Sequence, residues 1–106
     1  MSGVHKAAVA VRDLLAVPNA WIQGAYAIDI YGRHLDEEDD RAVHWCLMGA
    51  VLTVAGTEDE TCLVLQEEIE KYIDGTCVES WNDDMDRTLT DVLKVLDQVV
   101  ENTKEA

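Results

Sequence analysis

The sequence contains no phenylalanine and a single proline, and only 8 of its 106 residues are lysine or arginine, against 22 aspartates and glutamates. Without phenylalanine, the apolar volume of a core must come from valine, leucine, isoleucine, alanine and methionine, with three tryptophans and three tyrosines as the large pieces. The shortage of bases excludes the cationic stripe that grips phosphate backbones or anionic lipid, and points to partners with a basic surface. The cysteines are three, an odd number, and Cys46, Cys62 and Cys77 show no C-x-x-C spacing. They therefore frame neither a disulfide scaffold nor a thiolate zinc site, and reduced, buried thiols are expected. There is also no long apolar run: the stretch MSGVHKAAVAVRDLLAV is interrupted by Arg12 and Asp13, which argues against a signal peptide or a membrane span and for a cytosolic location, the host cytosol if a virus carries the gene.

What is present suits one folded domain over residues 1–106, since 48% of the residues are hydrophobic despite a net charge of -14. The charge is unevenly placed. Residues 1–34 hold two acids against three bases, and the remainder holds twenty against five. Solubility alone accounts for such a balance; recognition of a basic partner accounts for it equally.

Apolar residues three and four apart, Val4, Ala7, Ala8, Val11, Leu14 and Leu15, predict a first helix, capped by Ser2 and ended by Pro18. The segment 21–36 is richer in aromatic and β-branched residues and reads as a small hairpin turning at Asp29 to Gly32. The run Asp36, Glu37, Glu38, Asp39, Asp40 then looks like the acidic start of a second helix that buries Val43, Cys46, Leu47, Ala50 and Val54 and stops at Gly56, with Gly49 allowing a close backbone approach. A capping box from Thr57 to Glu60 opens a third helix with Cys62, Leu65, Ile69 and Ile73 inside, Glu67, Glu68 and Glu70 outside, and Gly75 at its end. Residues 76–87 read as a connector. A second capping pattern, Thr88 to Asp91, opens a last helix with Leu89, Val92, Leu93, Leu96, Val99 and Val100 on one face. The expected fold is mainly α: four helices packed in one layer pair, with a small β-hairpin between the first two.

Both acidic clusters place oxygens at alternate positions, but neither makes an EF-hand calcium loop, because Arg41 and Arg87 stand where glycine is required and Leu47 and Leu93 where a bidentate glutamate is required. On a helix, His44 and Cys46 would project roughly 200° apart and not meet on one metal atom, and His5 and His34 are isolated in sequence. No catalytic set, metal site or cofactor site is expected. Asp83 and Asp86 are spaced as acid and base groups are, but also as a helix start requires.

The distinctive feature is Trp81, Asn82 and Asp83 followed by Arg87 and Thr88. As scaffold, the polar residues make a turn, Arg87 pairs with a carboxylate and Trp81 packs under the hairpin. As a site, Trp81, Asn82, Asp83 and Arg87, with Tyr26 and Trp45, line a small polar pocket. The scaffold reading is favoured.

The succession W-x-Q-G-A-Y-A (Trp21 to Ala27), W-C-x-x-G-A (Trp45 to Ala50) and W-N-D followed by R-T (Trp81 to Asp83, Arg87, Thr88) resembles a family of bacterial and phage proteins about as long as this chain, which carries only a domain-of-unknown-function label. The resemblance covers most of the chain and implies a shared fold and a phage or mobile-element origin, with no activity or site residues to transfer. The acidic run at 36–40 departs from that pattern.

Together these features lead to a non-enzymatic binding protein with an acidic face formed by Asp36, Glu37, Glu38, Asp39, Asp40, Glu67, Glu68 and Glu70. That face would occupy a basic site on a protein partner, as an anti-CRISPR inhibitor or nucleic-acid mimic does. A small-ligand binder using the W-N-D region is the alternative, and self-association through the amphipathic helices is a third reading.

Overall fold

The computed structural model describes residues 3–36, 39–56, 60–73 and 77–104. Ser2, Glu37, Glu38, Thr57 and Gly75, to which the sequence assigns caps, helix ends or acidic contacts, lie outside the described residues. The chain is mainly helical, with a small antiparallel strand pair between its first two helices.

Helix α1 (Gly3–Ala16) buries Ala7, Ala8, Val11 and Leu15, the expected stripe. It ends where Pro18 and Asn19 form the centre of a turn closed by the Ala20 N–H on the Val17 carbonyl. Asn19 adopts φ 67°, a left-handed position that asparagine tolerates and that a type II turn requires at its third residue. The turn aims the chain into the strand region.

There β1 (Ala27–Ile28) pairs antiparallel with β2 (His44–Trp45), Ala27 opposite Trp45 and Ile28 opposite His44. On its other side Ile28 bridges His34, and the Asp29 to Gly32 turn lies between them as expected. Trp45 also pairs in parallel with Trp21, its N–H bonding the Ala20 carbonyl and its carbonyl accepting from Ile22. Four short segments thus lie side by side, 34, 27–28, 44–45 and 21. The partner strand of β1 comes from beyond the acidic run, not only from within 21–36.

The second helix is accordingly shorter than its sequence suggests. Helix α2 spans Leu47–Ala55; ahead of it the Asp39 N–H bonds the Asp36 carbonyl and the Ala42 N–H the Asp39 carbonyl, in a turn at Asp40 and Arg41. The described residues of the acidic run, Asp36, Asp39 and Asp40, are not helical, and α2 starts beyond them. Val43 is exposed and Val54 half-buried instead of core. His44 lies in a strand and Cys46 is the N-cap residue of α2, so the helical argument separating them does not apply. Gly56, at φ 86°, ends the helix as expected. Gly49 allows the predicted close approach: a Cβ there would land on the Tyr26 carbonyl, which pins the hairpin to α2.

Helix α3 (Glu60–Glu70) buries Cys62, Leu65 and Ile69. The expected connector contains one further helix, α4 (Val78–Asn82), making five in all among the described residues. Helix α5 (Leu89–Thr103) opens with the predicted capping box, Thr88 and Asp91 each accepting the other's backbone N–H, and buries Val92, Val95, Leu96 and Val99. Helix α1 packs against α5, α2 and α3, and the buried side chains of all five helices form one apolar cluster. Among the described residues no helix is long and apolar enough to cross a membrane.

Candidate functional site

Asn82 is fully buried, although it sits in a stretch of polar residues. Its Oδ1 accepts from the Trp21 indole N–H at 2.6 Å and from the Leu47 N–H at 3.0 Å. Its Nδ2 donates to the Ile22 carbonyl at 3.1 Å and to Asp83 Oδ1 at 2.9 Å. Every hydrogen-bonding position of the amide is used, which is what keeps an interior amide from costing stability. One of the satisfied groups, the Leu47 N–H, is among the unpaired donors at the start of α2. Asn82 therefore ties the strand region and two helices together.

Around it, Gln23 Nε2 donates to the carbonyls of Asn82 and Asp84 at 2.8 and 2.7 Å, and Asp83 Oδ1 accepts the Gly24 N–H at 3.0 Å. Arg87 lies over the Trp81 ring, 3.9 Å from its centroid, while its Nε donates to the Trp81 carbonyl at 2.9 Å. Trp81, Asn82 and Arg87 thus engage neighbouring parts of the chain through these contacts.

In front of this knot lies a cleft of about 320 Å³ lined by Gly24, Tyr26, His34, Cys46, Glu79 and Asp83, with Ala25, Ala27 and Leu35 completing its wall. Of the six pocket residues expected from sequence, the cleft brings together Tyr26 and Asp83. Trp45 is half-buried against the core, and its indole N–H, buried, has no partner among the described residues. Sequence reasoning missed Glu79, Cys46 and His34 as lining residues. Glu79 stands four residues before Asp83, one helical turn, a spacing that shows only once 78–82 is read as helix.

The chemistry of the cleft is acidic. Glu79 Oε2 accepts from the Tyr26 hydroxyl at 2.8 Å, and Asp83 Oδ1 is occupied by two donors. The second oxygen of each carboxylate has no hydrogen bond among the described residues, and neither lysine nor arginine lines the cleft. At its floor the Cys46 thiol is buried, which pushes its pKa up, an effect the negative charges of Asp83 and Glu79 reinforce. A thiol held neutral in this way is a poor nucleophile. Cys77, by contrast, is exposed, not buried as expected, and its pKa is lowered by the Ser80 side chain and backbone N–H. Among the described residues no group of three histidine, cysteine or carboxylate side chains is placed to hold a metal ion.

The residues expected to form an acidic face divide into free and engaged groups. Asp36, Asp40 and Glu67 are exposed. Asp39 forms a two-pronged ion pair with Arg41, which pulls its carboxyl down to about 2. Glu68 pairs with Lys71 at 2.6 Å and accepts from Asn102, and the lysine holds its pKa low. Glu70 accepts from Gln66 at 3.4 Å.

Residues 6–102 match DUF6197, a family of unknown function. The chain belongs to that family. The match takes in every element that builds the cleft, from the Trp21 segment to Arg87. No match emerges among curated proteins or among solved structures. The DUF6197 assignment thus places the chain among its relatives without supplying a chemistry, and the cleft must speak for itself.

Proposed function

We propose that the protein is a non-enzymatic binding protein whose cleft between the hairpin and α4 receives a cationic group, in the first instance a lysine or arginine side chain of a protein partner. The carrying observation is the pairing of Glu79 and Asp83 on one wall, each with an uncommitted oxygen, in a cleft without a lysine or arginine. Two carboxylates held by a hydroxyl, a backbone N–H and a buried amide are positioned before the ligand arrives, which reduces the cost of binding. The thiol at the cleft floor, held neutral by burial and by the two carboxylates, supports binding over nucleophilic catalysis.

The test is capture of partners, or of lysine- and arginine-containing peptides, by the wild type and by Glu79→Gln/Asp83→Asn, substitutions that retain an acceptor oxygen for Tyr26 and Gly24. Affinity is expected to fall by roughly tenfold or more in the variant and to weaken with salt. Equal affinity for both proteins would refute the reading.

A second reading is favoured by the distribution of charge. Among the described residues, Arg12, Arg33, Arg41, Lys71, Arg87 and Lys104 sit in ion pairs with acids of the same chain, and the net charge of -14 leaves the surface strongly negative. Such a surface suits a phage-encoded inhibitor that occupies the nucleic-acid channel of a host defence complex, an anti-CRISPR or nucleic-acid mimic. Under this reading, neutralising Asp36, Asp40 and Glu67 abolishes capture while the Glu79/Asp83 variant retains it; the reverse pattern selects the cleft.

A further inference from the structure

Resting on the cleft reading above, the geometry points to a more specific ligand: we infer that the cleft takes a basic residue flanked on both sides by apolar ones, within a short exposed segment of a protein partner. A turn adjoins each end of the segment 24–27 that lines the cleft. At one end, β1 leads through Ile28 into the Asp29–Arg33 turn and returns along His34 and Leu35, which line the cleft. At the other, Gln23 grips the carbonyl of Asp84 and Gly24 bonds Asp83, holding the turn after α4 beside the opposite end of the wall.

Each turn carries large apolar side chains in solvent: Ile30 (71% exposed) and Tyr31 (73%) on the first, Met85 (90%) on the second. Each turn is also rigidly built. Asp29 is buried to 4% exposure and its Oδ1 accepts the N–H groups of Tyr31 and Arg33, while Oδ2 receives the Arg33 guanidinium at 2.9 Å. Arg33 in turn lies over the Tyr31 ring, 5.1 Å from its centroid. In the second turn Asp84 Oδ1 accepts from Asp86 N–H, and its carbonyl accepts from Arg87. Single exposed apolar residues are ordinary on a surface. Here they stand on turns that adjoin lining residues of one acidic cleft, Asp29–Arg33 running into His34 and Asp84–Arg87 following Asp83, and thus offer apolar contact beside the central charge complementarity. A peptide that is only basic satisfies the centre, and one that is only apolar satisfies the ends.

The experiment compares two fluorescently labelled pentapeptides by anisotropy, each with a central lysine, one flanked by glycine-leucine arms and the other by glycine alone. The leucine-flanked peptide is expected to bind about tenfold more tightly, and Ile30→Ser/Met85→Ser to erase that difference while leaving the all-glycine peptide's affinity unchanged. Equal affinity of the two peptides for the wild type, both sensitive to Glu79→Gln, overturns this inference and leaves the cleft reading standing. Binding of either peptide that ignores Glu79→Gln overturns both, as does failure of both peptides to bind.

Discussion

Asn82 shows how one side chain fixes several segments. Replacing it by alanine leaves the buried Leu47 N–H and the part-buried Trp21 indole N–H and Ile22 carbonyl without their partner. With about 1–3 kcal/mol for each buried group left unpaired, and partial relaxation, Asn82→Ala is expected to cost about 3 kcal/mol or more, measured by urea unfolding. A cost below about 1 kcal/mol would mean that the amide is not the tie described. The titration of Asp39 belongs to the same scale. Its pKa is lowered from 3.8 to about 2 by Arg41, so the contribution of this pair is fully present above the unfolded value and is lost as pH falls through the folded one. Between about pH 4 and about pH 2, stability should therefore fall less steeply in Asp39→Asn than in the wild type, followed as the urea midpoint against pH. Asp29 and Glu68, also lowered, add loss of the same sign in both proteins.

Among the elements, those with conventional signals were legible and those without were not. The stripe of α1, the Asp29–Gly32 turn, the stop at Gly56 and the capping box of α5 all follow from residues whose local preferences agree with their surroundings. Thr88→Ala is expected to lower stability by about 1 kcal/mol, read as the loss in unfolding free energy. An unchanged value would place the start of α5 under tertiary control. The starts of α2 and α4 escaped notice for one shared reason. Both helices are capped by cysteine: the Sγ of Cys46 accepts from Gly49 N–H at 3.2 Å and that of Cys77 from Ser80 N–H at 3.4 Å. Cysteine is not among the favoured capping residues, so the acidic run drew the second helix too early and 76–87 read as connector throughout. The cleft was half-visible in consequence. Tyr26 and Asp83 stand in recognisable aromatic and polar motifs, whereas Glu79 needed α4, and Cys46 and His34 needed long-range pairing of strands only two residues long.

At the scale of the whole molecule, a net charge of -14 on 106 residues opposes compaction through self-repulsion. Salt shortens the reach of that repulsion from about 30 Å at 0.01 M to about 3 Å at 1 M. The melting temperature is therefore expected to rise with sodium chloride over this range, by scanning calorimetry. A fall would mean that the ion pairs, such as those of Arg12 with Asp97 and Lys71 with Glu68, outweigh the repulsion. The same screening weakens capture of a basic ligand, so salt should move stability and affinity in opposite directions.

The ties made by Asn82 also have a bearing on time. Its partners lie 35, 60 and 61 positions away in sequence, so they meet only after long loops have closed and α2, α4 and the strand region have docked. Ties that depend on so much prior loop closure are expected to form on the native side of the folding barrier. Asn82→Ala should consequently spend most of its destabilisation on faster unfolding, with the refolding rate nearly unchanged in stopped-flow measurements. A matching slowdown in refolding would instead make the amide part of the nucleus. On the first outcome, the side chain that keeps the cleft in shape also sets how long the native state survives between openings.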